Sequence, residues 1–178
     1  MPFKERLNQS LSKLITEEDH KYGCLMAVLS KEFASEISEW ATKIDPKDIS
    51  DGNLETEIHI TVLYGFNLTT KITDLYDFIS RTYPFEIELQ QLSLFENDED
   101  VLKVDVISQK LTKLHYDLVK QFNVTETHPG YTPHMTIGYL NSGAGKKYLG
   151  DDFCGRKFLI NQFTYSSPDS EHTHFYLG

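Results

Sequence analysis

Two tripeptides of one pattern recur in the 178-residue sequence: His59-Ile60-Thr61 and His134-Met135-Thr136. Each opens an apolar run of strand length, continuing as Val62-Leu63-Tyr64-Gly65 and as Ile137-Gly138-Tyr139-Leu140. Side chains alternate faces along a strand, so His59 and Thr61 point one way while Ile60, Val62 and Tyr64 point the other. The second motif divides in the same manner. An imidazole and a hydroxyl therefore stand side by side on each strand, roughly 7 Å apart. Phosphodiester cleavage asks for such a set. An attacking oxygen must be deprotonated on one side of phosphorus, and a departing oxygen must be protonated on the other. An unperturbed imidazole titrates at about 6.5, so one histidine can be neutral while another is charged. The hydroxyls of Thr61 and Thr136 can donate to the non-bridging oxygens, where charge gathers in the transition state. No metal and no other cofactor is required in principle. One His-x-Thr is a common coincidence; two copies at the starts of equivalent strands are not.

The elements around the motifs repeat as well. Residues 23–29 form an apolar run, Ser30 is placed to cap a helix, and Phe33, Ile37, Trp40, Ala41 and Ile44 make one helical stripe. Asp45-Pro46 and Asp51-Gly52 punctuate a loop before the first motif. Val101 to Ile107 is a second strand of the same kind, Ser108 a second cap, and Leu111, Leu114, Leu118 and Phe122 a second stripe. A loop with Pro129-Gly130 leads to the second motif. Cap and histidine lie 29 and 26 residues apart in the two halves, which predicts two related lobes. Between them, Lys71 to Arg81 reads as a helix, and Phe85, Ile87 and Leu89 alternate as in a strand. The alternation slips at Gln90-Gln91, where a bulge is expected. Gly143 to Gly150 reads as a loop, and residues 157–166 and 172–177 as a closing hairpin.

The length fits one domain over residues 1–178. Its N-terminal extension, residues 1–22, carries Leu7, Leu11, Leu14 and Ile15 at helical intervals, not the continuous apolar core of a signal peptide. No stretch is long enough to span a membrane. Cys24 and Cys154 have no paired spacing, so reduced thiols and a cytoplasmic setting are expected, the host cytoplasm if the source is viral. Asn67 and Asn123 match the glycosylation pattern, which is inert without secretion. The formal charge of −10 disfavours long nucleic acid, since tracking many phosphates needs Lys and Arg. A small nucleotide with few phosphates remains compatible as the partner. The sequence does not fix the oligomeric state.

The paired motifs, 75 positions apart, resemble those of the 2H phosphoesterase superfamily, which includes 2′-5′ RNA ligase-like proteins and cyclic phosphodiesterases. The text "LETEIHITVLYG" and "LFENDEDVLKVDV" looks like the bacteriophage and bacterial branch, and the resemblance covers about residues 23 to 140. It implies an α+β fold with two pseudo-symmetric lobes, antiparallel sheets around a central cleft and helices on the outer faces. It also implies a metal-independent phosphodiesterase with His59, His134, Thr61 and Thr136 as catalytic residues. The family includes hydrolases of 2′,3′-cyclic phosphates and of 2′,5′ linkages, and phage enzymes that degrade cyclic oligonucleotide immune signals. Hydrolysis of a small cyclic or 2′-linked nucleotide is the leading expectation. RNA joining or end processing, and sequestration of a nucleotide without turnover, are its rivals.

Other residues are weighed beside these. Tyr131 and Phe66 flank the motif strands and could stack on a base or pack the core and rim. Lys146 and Lys147 follow the second motif and could reach a phosphate from the cleft rim, although a solvated loop is the commoner setting. Gly143 to Lys147 lacks the spacing of a Walker motif, which excludes that class of triphosphate hydrolysis. His172 and His174 alternate on a strand, as an edge or as half of a metal site. His115 lies on a helical stripe and is expected to pack, as is Trp40. His20 and His128 lie in polar segments. Glu57 shares the face of His59, where it would orient the imidazole or stand exposed.

Overall fold

The computed structural model describes residues 22–125 and 130–178. Residues 1–21 of the expected helical extension, including His20, lie outside these, as does His128. The described elements are β1 (Gly23–Val28), α1 (Lys31–Ala41), β2 (Ile49–Leu54), β3 (His59–Phe66), α2 (Ile72–Ile79), β4 (Phe85–Glu96) and β5 (Glu99–Ile107). They continue with α3 (Gln109–Gln121), β6 (His134–Asn141), β7 (Lys157–Ile160), β8 (Gln162–Ser166) and β9 (His172–Tyr176). The strands form an antiparallel sheet in the order β7-β4-β5-β6-β3-β1-β8-β9, with β2 joining at β6. The two expected lobes are the halves of this α+β fold. β3 is flanked by β1 and β6 by β5, and the halves meet where β3 pairs with β6.

That central pairing is brief, and β2 explains why. β6 pairs with β3 at Met135, whereas Gly138 and Leu140 pair with Leu54 and Ile49 of β2. Residues 45–52, read above as a loop, thus contain the start of a strand. Ser50-Asp51-Gly52-Asn53 has poor intrinsic strand propensity, and the edge of β6 supplies the partner. The slip at Gln90-Gln91 is a register shift between Leu89 and Leu92 against β5, as the broken alternation required.

Both serine caps form, with Ser30 Oγ accepting from Phe33 N at 3.3 Å and Ser108 Oγ from Leu111 N at 3.2 Å. The helices they start exchange halves. α1 follows β1 but lies against β6 and stacks Phe33 on Phe158 of β7, ring centroids 3.9 Å apart. α3 follows β5 but packs under β3, where His115 Nδ1 donates to the Val62 carbonyl at 2.8 Å. Leu25, Ala27, Ile60, Val62, Leu102, Val104, Met135 and Ile137 are all buried in the core. The opposite sheet face, with His59, Thr61, His134 and Thr136, is half-buried.

The expected closing hairpin is drawn differently. Asn161 alone separates β7 from β8, yet β7 pairs with β4 in one half and β8 with β1 in the other. Residues 157–166 are therefore a strap between the flanks of a curled sheet, and the hairpin is β8 with β9. Gly65, one residue before the end of the first motif strand, has φ +123°, and a Cβ there would sit 2.2 Å from the Thr125 carbonyl oxygen, so only glycine fits. Among the described residues no helix is long and apolar enough to cross a membrane.

Candidate active site

Ile60 faces Met135 across the antiparallel β3–β6 pair. In that register one step to either side sets His59 against Thr136 and Thr61 against His134. Each imidazole then has one hydroxyl two residues along its own strand and the other motif's hydroxyl across the pairing. Two histidines and two threonines thus form a crossed quartet on one half-buried sheet face, close enough that His59 acts electrostatically on His134.

Both rings are anchored alike. His59 Nδ1 bonds the Glu57 carbonyl at 2.6 Å, and His134 Nδ1 bonds the Thr132 carbonyl at 2.8 Å. A carbonyl oxygen only accepts, so each Nδ1 keeps its proton and Nε2 is left to exchange one. The role considered for the Glu57 carboxylate falls instead to its backbone, and its side chain is exposed.

The flanks of the quartet differ. On β1, Met26 pairs with Thr61 and Val28 with His59; on β5, Lys103 pairs with Thr136 and Asp105 with His134. Lys103 is only 4% exposed. Its ammonium donates to Ser93 Oγ at 2.6 Å and forms a close ion pair with Asp105, while Ser93 Oγ donates to Asp105 Oδ1 at 2.8 Å. The Phe95 ring lies 4.3 Å from the Lys103 ammonium and meets His134 edge-on at 4.9 Å between centroids. Burial is the largest influence on His134 and holds its pKa below the ordinary histidine value. The Thr132 carbonyl opposes this, as does Asp105, while Lys103 and His59 add to it. Sequence reading passed over Lys103 and Asp105. The signal was there: two charges alternate with Leu102, Val104 and Val106 where the matching strand of the other half carries Met26 and Val28.

The remaining candidates do not converge on the quartet as expected. Phe66 is fully buried, packed edge-on against Phe122 and Tyr165, and cannot meet a base. It follows Gly65 at the end of β3, where the helix-covered side closes over it. Tyr131 is half-buried with its ring stacked on His115, centroids 4.1 Å apart and planes 5° from parallel. Its hydroxyl donates to the Thr61 carbonyl at 2.9 Å, and burial raises its pKa. That places it as a brace behind the first motif. Lys146 and Lys147 follow the far end of β6, about 20 Å along the strand from His134 by the rise per residue. There they pair with Glu96 at 3.2 Å and Asp48 at 2.6 Å, so the cleft-rim reading is corrected to a solvated ion-paired turn. His115 and Trp40 pack in the interior, each 9% exposed. His172 and His174 are exposed on β9, with His174 Nδ1 at 2.9 Å from Thr164 Oγ1. Among the described residues no third histidine, cysteine or carboxylate joins them.

The family model of the 2′-5′ RNA ligase superfamily matches residues 30–156, a span that includes both motifs and β5. No curated protein matches the chain in sequence. Solved structures match it in fold. TT0787 of Thermus thermophilus is 15% identical at a TM-score of 0.61, covering 88% of this chain and 95% of that one. E. coli LigT complexed with 3′-AMP is 14% identical at 0.60, covering 89% and 95%; LigT has also been solved with NADP+ and with ATP. Kluyveromyces marxianus Usb1 is 10% identical at 0.62, covering 89% and 99%.

Proposed function

Since the chain belongs to the 2′-5′ RNA ligase superfamily, whose members are 2H phosphoesterases, we propose that it hydrolyses small cyclic or 2′-linked nucleotides by paired-histidine catalysis. The observation that carries this reading is the β3–β6 register, which gathers both histidines and both threonines on one sheet face. Burial lowers the pKa of His134 and so favours it as the base, taking a proton from water at Nε2 as the water oxygen bonds phosphorus. His59 takes the role of acid, giving a proton from Nε2 to the departing ribose oxygen as the P–O bond breaks. Thr61 and Thr136 donate to the non-bridging oxygens. The apolar flank of Met26 and Val28 suits a ribose or base better than a second phosphate. Small nucleotides such as those in the LigT complexes are therefore the favoured class, cyclic oligonucleotide immune signals among them.

Two imidazoles supply both proton transfers, so turnover is expected to survive excess EDTA and exhaustive dialysis against chelator. Loss of activity that zinc or manganese restores would overturn the metal-free scheme. Substrate class is tested with a panel of 2′,3′-cyclic mononucleotides, 2′,5′-linked dinucleotides and cyclic di- and trinucleotides, with products identified by mass spectrometry. Linear phosphate-bearing products are expected, with a shallow salt dependence from one or two phosphate contacts. The family's description favours one second reading, RNA end processing. Efficient cleavage or joining of RNA ends, a steep salt dependence and an inert cyclic-nucleotide panel would put that reading first.

A further inference from the structure

The two halves of the sheet match motif for motif, which makes a mismatch in the strands flanking the motifs informative. The residues beside the threonines are Met26 in one half and Lys103 in the other; those beside the histidines are Val28 and Asp105. An apolar pair thus stands on one flank where a nearly buried ion pair stands on the other. Burying an ion pair is costly, and well-packed apolar residues of similar size often serve stability as well or better. Packing alone therefore does not account for charges at these positions.

The order of the charges does. Asp105 lies beside His134 and Lys103 beside Thr136 in the strand register, and the Lys103 ammonium reaches along the strand to Asp105 and over Phe95, so the pair is a fixed dipole at the His134 end of the quartet. We propose that Lys103 and Asp105 are positioning residues for the reaction described above: their fixed dipole governs the charge of His134 as it exchanges its proton. As His134 accepts a proton, the new imidazolium faces Asp105. The Lys103 ammonium, held by Asp105 and Ser93, acts on the same ring in the opposite sense, so the pair balances His134 between its two charge states. Ser93 holds both ends of the dipole, and Phe95 covers the ammonium and sets the edge of the His134 ring. The charged groups acting on His134 are Lys103 and Asp105 from β5 and His59 from β3. Such a field needs no reorganisation when the reaction occurs, which is the general source of electrostatic catalysis.

The test is an NMR titration of the His134 imidazole in the free protein, its signal assigned by its loss in His134→Ala. Lys103→Met should raise the His134 midpoint by about one unit, and Asp105→Asn should lower it by a similar amount. The double variant Lys103→Met/Asp105→Asn leaves no lone buried charge and should return the midpoint towards the parent value. Its kcat should still be down about 10²-fold with KM little changed, the pattern of an interaction made in the transition state. Should Lys103→Met fail to fold, Asp105→Asn and the double variant carry the test. A midpoint that stays put in folded variants overturns the proposal whatever the activity. Opposite shifts in a protein that turns over no nucleotide uphold the coupling and reject the phosphodiesterase reading instead.

Discussion

Alanine in place of His59 or of His134 is expected to lower kcat by about 10²- to 10⁴-fold, each substitution on its own. A single group cannot serve both faces of one displacement, and the crossed register gives each imidazole its own side of the quartet. Folding should be preserved, since both rings sit on the half-buried sheet face and not among the helices. Thr61→Ala and Thr136→Ala should be milder, each removing one donor of several. The pH profile separates the two histidines. A base works only when unprotonated, so a pKa below the ordinary histidine value carries the acidic limb of kcat/KM to lower pH, and His134→Ala should abolish that limb. Circular dichroism and steady-state kinetics on the two variants decide the matter. Near-normal turnover in His59→Ala with loss only in His134→Ala would sink the paired mechanism.

Phe66→Ala is expected to cost about 3–5 kcal/mol in stability, the range for truncating a buried aromatic ring. Phe66 is fully buried, with ring centroids 5.8 Å from Phe122 and 5.6 Å from Tyr165. These contacts tie β3 to the segment after α3 and to β8, so the hole would open where three elements meet. Urea unfolding measures the loss. The fraction that remains folded should keep its KM, because the ring faces away from the quartet. A raised KM at unchanged stability would restore the base-stacking role considered for Phe66 from the sequence.

Much of the molecule could be read from local pattern. The two His-x-Thr strands, the caps at Ser30 and Ser108, the apolar stripes of α1 and α3 and the bulge at Gln90-Gln91 all depend on residues a few positions apart. What escaped depends on partners distant in the chain. β2 is a strand because β6 has an edge to fill, and its own polar residues say nothing of that. Lys103 and Asp105 look like the polar face of any strand until β5 is laid beside β6. Tyr131 and Phe66 were equally plausible as aromatic stackers; only the His115 ring over one and the core around the other tell them apart. Lys146 and Lys147 are close to His134 in sequence, but a strand carries the chain away from its own first residue.

The strap of residues 157–166 bears on how the chain reaches its native state. Before it is in place, β1 lacks β8 and β4 lacks β7, so each half keeps an unpaired edge. A nascent chain that has exposed only the two motif strands would hold every group of the quartet yet have neither flank complete. Pairing β1 with β8 joins residues such as Ala27 and Phe163, more than a hundred positions apart, and non-local pairings of this kind slow folding to the millisecond-to-second range. Open strand edges invite association with other chains in the interval. During synthesis the risk of aggregation is therefore set by the wait for this one segment, and a chaperone that shielded the edges of β1 and β4 would act at the vulnerable moment.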